Sequence, residues 1–286
     1  MKIRLILLSV ILLISYLPCL SQLISAPPRM EDFPTGSQFA RIVSDMDKES
    51  REDSIYSQII KGNIPGFIRE MVPVNVADTI YKKPYLLTYY VLPDYLSIGS
   101  DTDFLRIPMT PMLAQKIASL FNCSLPTTKM VDDIHRFSPV KLNPHPMTPD
   151  ETMTTVPVFM EHNKIINQQR DSSITKYPVG TLVAGHKKDV VITNQLLGKN
   201  GKEKVAIYGW HYPWHRAIQH LYTRHTNRWV DYSHGIRLIS NNVILNGKSM
   251  QLSEIFQDPM TSMLISKEGV VNFMKYPVEV PTEFEE

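Results

Sequence analysis

The chain has 286 residues, 43% of them hydrophobic, with 30 Lys and Arg against 28 Asp and Glu. That length suffices for one domain with a large buried core. The near-neutral balance offers no basic face of the kind that nucleic acid or an anionic membrane requires, so neither is expected as a partner.

The first 21 residues read as a signal peptide. Lys2 and Arg4 open it, an apolar run over residues 5–17 follows, and small residues precede Gln22. The run is short for a spanning helix, so export to a periplasmic or extracellular location is expected, with no transmembrane segment in the mature chain. Cys19 offers an alternative lipid anchor, although Pro18 before it suits such processing poorly. Cleavage after residue 21 leaves 28 charges of each sign and Cys123 as the single thiol. No internal disulfide is then possible, and Cys123, between a helix pattern and Pro126, is expected to pack rather than react.

Residues 22–66 predict a mobile surface arm and a helical cap, the cap carried by Phe39, Ile42, Val43 and Met46 and then by Ile55, Ile59 and Ile60 at helical spacing. Residues 67–286 predict a single α+β domain. Residues 67–76 and 85–92 are rich in β-branched and aromatic side chains and predict paired strands, with 78–84 as a polar connection. The acidic stretch 94–103 reads as a solvated turn, since it lacks the alternating acids and closing Glu of a calcium loop. Thr110 and Pro111 open a helix with Leu113, Ile117, Leu120 and Phe121 on one stripe, a second helix follows Thr127, and a third carries Phe159, His162, Ile165 and Ile166. His162, on an apolar stripe, is expected to be a core residue. The fold class is α+β: a mainly antiparallel twisted sheet with helices packed on one side, then a short helix within 251–263 and an acidic tail.

Residues 185–239 hold six of the nine histidines and all three tryptophans. His186 and Lys187 are expected at a turn or strand end beside Asp189, the paired lysines facing an anion or solvent. Residues 205–211 predict a strand that carries Tyr208, Trp210 and His211 toward an open loop bearing Trp214. No metal or cofactor is expected: Pro213 keeps His211 and His215 off a shared helical face, and no glycine-rich phosphate loop occurs.

The segment Ser233-His234-Gly235-Ile236-Arg237 resembles the Ser-His-Gly-Cys-Ile-Arg signature of L,D-transpeptidases, exported enzymes that remodel peptidoglycan on a mostly β scaffold, with the cysteine missing. The resemblance implies a bacterial cell-envelope substrate, while its absent thiol removes the covalent chemistry of that family. The residue types leave acid–base chemistry. His234, His211 and His186 can carry protons, Asp231 can orient an imidazole, and Arg237 can hold an anion. Tyr208, Trp210, Trp214, Tyr232, Ser233 and Lys187 would then contact substrate. The expectation is a hydrolase or transferase acting on peptidoglycan or another glycan through a water activated by His and Asp. Two other readings remain: a glycan-binding or surface-assembly protein using the aromatics without turnover, and a core strand whose Tyr232 and His234 are bonded inside.

Overall fold

A computed structural model describes residues 22–196 and 203–277. The expected leader with Cys19, the link at 197–202 and the acidic tail lie outside these residues. The described chain is α+β, with six α-helices and a mainly antiparallel sheet.

The described residues start with β1 (Gln22–Leu23), which pairs with the beginning of β2 (Glu70–Ile80). The expected mobile arm is therefore a sheet edge, because Ile24 buries its side chain and Arg29 bonds Asn63 and the Phe33 carbonyl. Helices α1 (Gly36–Val43) and α2 (Lys48–Ile60) follow, capped by Thr35 and Asp47. Their residues Phe39, Val43, Ile55 and Ile59 lie in the same apolar core as the sheet residues Leu87 and Val91.

Strand β2 and β3 (Lys83–Val91) form the longest hairpin, paired from Val72↔Val91 to Ile80↔Lys83. The expected polar connection at 78–84 shrinks to two residues, because Tyr81 (φ 47°) and Lys82 (φ 66°) both take the left-handed conformation whose twist matches the flanking strands. The acidic stretch that follows is a solvated turn only at its tip, where Asp101 and Thr102 are exposed. Its flanks pair as β4 (Ser97–Gly99) and β5 (Phe104–Arg106), Asp103 accepts from the Ser37 backbone and hydroxyl, and Asp94 is buried.

Helix α3 (Pro111–Leu120) begins as its sequence dictates, with Thr110 accepting from the Leu113 amide. After β6 (Cys123–Ser124), Thr127 caps α4 (Thr128–Phe137) in the same way. Strand β7 (Val140–Lys141) leads by a proline-rich link to α5 (Val156–Asp171), then β8 (Val183–Ala184) pairs parallel with β7. The second sheet comprises β9 (Lys188–Val190), β10 (Ile207–His211), β11 (Ala217–Tyr222) and β12 (His234–Gly235), in the order β11-β10-β9-β12. Strand β12 runs parallel to β9, with His234 opposite Lys188. Two sequence-distant polar segments thereby become neighbours.

Strands β13 (Ile239–Ser240), β14 (Asn242–Leu245) and β15 (Lys248–Gln251) return to the larger sheet, β13 and β14 both pairing with β3. Helix α6 (Leu252–Gln257) supplies the short C-terminal helix expected there.

Candidate functional site

The chemistry-bearing residues fall into an interior network and an open cleft. The parallel β9–β12 pairing organises the interior. Asp94 grips the Arg106 guanidinium at 2.7 to 3.0 Å and meets His186 Nε2 at 3.1 Å. The same guanidinium donates to Asn163 and Asn167 of α5. Burial alone would raise the Asp94 carboxyl, but Arg106 and His186 outweigh it and hold it well below the carboxylate range. The Tyr95 hydroxyl donates to Asp189 at 2.8 Å, and the Arg237 guanidinium lies 4.3 Å from the centre of the Tyr95 ring. Arg237 donates to the Leu92 and Val183 carbonyls, at 2.7 and 2.8 Å.

Lys187 is fully buried and donates to the Tyr232 carbonyl at 2.5 Å. Burial, reinforced by Arg106, pushes its ammonium down to about 7. Burial likewise lifts Asp189 to about 6 and lowers His186 and His234 to about 4. Asp231 accepts from the amide and hydroxyl of Ser233, at 2.8 and 2.5 Å, and from Trp229 Nε1 at 3.2 Å. His234 Nε2 stands 3.8 Å from it. Gly235 has a steric cause: a Cβ there would meet Tyr95 at 2.6 Å and Lys187 Cβ at 2.8 Å.

The cleft forms where α4 packs against β10. Alternation along β10 would place Tyr208 and His211 on opposite faces, but a bulge between Ile207 and Gly209, with positive φ at Gly209 (104°) and Trp210 (55°), breaks it. Both side chains consequently reach Asp132 Oδ1, each at 2.9 Å, while Trp210 turns inward and donates to the His186 carbonyl. Lys267 bonds the other carboxylate oxygen. Burial would raise Asp132, but the bonds from His211, Lys267 and Tyr208 hold it at about 2. An ionised carboxylate only accepts, so the His211 proton on this bond sits on Nε2 and Nδ1 is the basic nitrogen.

His135, one helical turn from Asp132, stacks on His211 with ring centroids 4.6 Å apart, and its Nδ1 lies 3.0 Å from His215 Nδ1. Burial and the neighbouring imidazoles lower His135 to about 3, so this contact is a neutral N–H···N bond at ordinary pH. The cleft has a volume of about 360 Å³ and is lined by Asp132, His135, Tyr208, His211, His215 and Arg216 among others. At the hairpin tip beside it, Tyr212 and Trp214 stack with centroids 4.5 Å apart and planes within 5°, Trp214 being 65% exposed.

Folding thus divides the residues singled out by the sequence. His211 and Tyr208 line the cleft and Trp214 is exposed at the β10–β11 hairpin tip, whereas His186, Lys187, Asp231, Tyr232, Ser233, His234, Arg237 and Trp210 lie in the interior. Lys187 is therefore on neither a solvated turn nor a substrate-facing surface. The sequence does not single out Asp132, His135 or Arg106; in it His215 enters only as a metal partner of His211, and Asp94 only as part of a solvated turn. The one signal for the first two was a pair of polar residues three apart on a helix with a buried stripe, which gains meaning only once β10 is known to pack there. His162, assigned to the core, is buried 5.0 Å from the Tyr232 ring, with neither nitrogen hydrogen-bonded.

No family model matches the chain, and neither a curated protein nor a solved structure matches it. Among the described residues, no three His, Cys, Asp or Glu side chains are grouped to hold a metal ion, and no helix is long and apolar enough to cross a membrane.

Proposed function

We propose that this chain is an exported cell-envelope hydrolase or transferase acting on peptidoglycan or another glycan, through His/Asp acid–base chemistry without a cysteine nucleophile. The observation that carries the reading is the His211–Asp132 pair on the wall of an open cleft. In this reading His211 Nδ1 takes a proton from the attacking water, Asp132 stabilises the resulting imidazolium, and the same proton passes to the leaving group. Asp132 fills the orienting role that the sequence suggested for Asp231. His186, Asp231, His234 and Arg237 act indirectly, by fixing the strands that carry the cleft. The one described thiol supports the absence of sulfur chemistry, since burial pushes Cys123 up to about 12. Export rests on the leader, and the glycan on the aromatic stack at the hairpin tip and the L,D-transpeptidase resemblance.

A second reading, a glycan-binding protein without turnover, draws on the exposed Tyr212–Trp214 stack, a face on which a sugar ring can lie. The two separate by experiment. Purified peptidoglycan and soluble glycan fragments are incubated with the protein and the products read by mass spectrometry, with binding measured in parallel. An enzyme keeps binding and loses turnover in His211→Ala; a binding protein shows no turnover at all and loses affinity in Trp214→Ala.

A further inference from the structure

A second cleft, with a volume of about 400 Å³, opens between the start of α2, the turn before α5 and residues 228–230. Its lining includes three cations, Lys48, Arg51 and Arg228, with the indole of Trp229 and the residues Thr154 and Thr155; no lining residue is acidic. Lys48 Nζ donates to the Arg228 carbonyl at 3.1 Å and Arg51 Nη1 to the Thr154 carbonyl at 3.2 Å. These bonds hold the Lys48 and Arg51 side chains with neutral acceptors, which leave the charge of both in place. The nearby acids Glu49, Glu52 and Asp53 stand outside the lining of this cleft. Glu49 lies 3.7 Å from Arg228 with both side chains largely in water, so that pair is screened, and Glu52 turns its oxygens onto the amide and hydroxyl of Thr110, outside the cleft lining, while its charge offsets part of that of Arg51 and Lys48.

One further feature adds to the positive field, and another supplies a flat ring. Thr155, at the N-cap of the 16-residue α5, makes no side-chain cap bond, because its hydroxyl donates to the Thr152 carbonyl, and the first turn of that helix carries no acid. Trp229 presents a ring whose orientation is fixed, by the bond from its Nε1 to Asp231 and by His225 stacked 4.6 Å away at 17°. Positive charge beside a fixed flat ring is the chemistry that recognises a ring carrying an oxyanion.

We propose that this cleft binds a single sugar ring bearing a carboxylate or phosphate, the oxyanion held among Lys48, Arg51 and Arg228 and the ring against Trp229. The site is separate from the His211 cleft and stands whether or not that cleft turns substrate over. Only the choice of sugar rings as probes follows the glycan reading.

The test is isothermal titration of the full chain with four probes: N-acetylmuramic acid, N-acetylglucosamine 6-phosphate, uncharged N-acetylglucosamine and inorganic phosphate. Both charged sugars are expected to bind roughly tenfold or more tightly than the uncharged sugar and than phosphate alone, and to weaken as salt rises. Their order tells carboxylate from phosphate. The Lys48→Gln/Arg228→Gln double variant, whose side chains are not needed for the core, is expected to lose roughly tenfold or more of that affinity with an unchanged melting temperature, and His211→Ala to lose none. Equal binding of the uncharged sugar, charged-sugar binding that ignores the double variant, or inorganic phosphate binding as tightly as the sugars would each overturn the proposal.

Discussion

Asp132 and His211 come from positions 79 apart and meet at 2.9 Å between Oδ1 and Nε2, the carboxylate on a helix and the imidazole on a bulged strand. The bond fixes which nitrogen carries the proton. Asp132→Asn keeps the shape but removes the charge that stabilises a protonated His211. Turnover of the glycan substrate is expected to fall on the order of 100-fold or more with KM little changed, read by steady-state kinetics.

The ion pair between Asp94 and Arg106 is sealed in the interior with His186 on its third side. Asp94→Ala would leave a guanidinium buried without its counter-charge, and should cost about 3–5 kcal/mol in urea unfolding. Replacing both partners with apolar residues, as in Asp94→Leu/Arg106→Met, should cost less than the single change. A single variant as stable as the parent would show that the pair does not hold the interior together.

Acid should destabilise the fold in a definite window. His186 and His234 titrate at about 4 when folded against an ordinary 6.5, so between those values the unfolded chain binds more protons and stability falls as pH falls. Asp189 opposes them: lifted from 3.8 to about 6, it gains stability on acidification through that range. His135 and His162, also lowered by burial, add to the two, so the imidazoles outweigh Asp189 and leave a net loss of at least about 1 kcal/mol per pH unit from about pH 6 down to about pH 4. Urea midpoints across that interval check it. Asp189→Asn should steepen the slope, by removing a group that runs the other way.

Gly235 is small because its neighbours leave no room. Gly235→Ala should cost roughly 1–3 kcal/mol, since the methyl group would press on Tyr95 and on the Lys187 stem, and neither is the free end of a flexible chain. A melting temperature unchanged by this substitution would show that β12 can shift to accept the methyl group.

Much of the scaffold was legible in the sequence. Thr110 and Thr127 begin helices where their capping chemistry says, and the strand-rich stretches on either side of Tyr81 pair with each other. These features are local, set by propensity and by residues a few positions apart. The site was legible only in part. His211 and Tyr208 could be picked out by type, but their partner Asp132 lies on a helix that no short-range pattern connects to β10. Asp94 read as part of a solvated turn, and Lys187 and Arg237 as groups facing substrate or an anion, because their neutralising or hydrogen-bonding partners come from distant segments. The inward turn of Trp210 depends on a positive φ that a non-glycine residue does not advertise.

Turnover by His211→Ala on purified peptidoglycan, measured beside the parent under identical conditions, bears most directly on the proposed chemistry. The expected result is cleavage or transfer products from the parent and a loss on the order of 100-fold or more in the variant, with substrate still bound. Undiminished product from the variant, whose fold is verified by its melting curve, would contradict an acid–base role for that imidazole and move the chemistry away from the α4–β10 cleft.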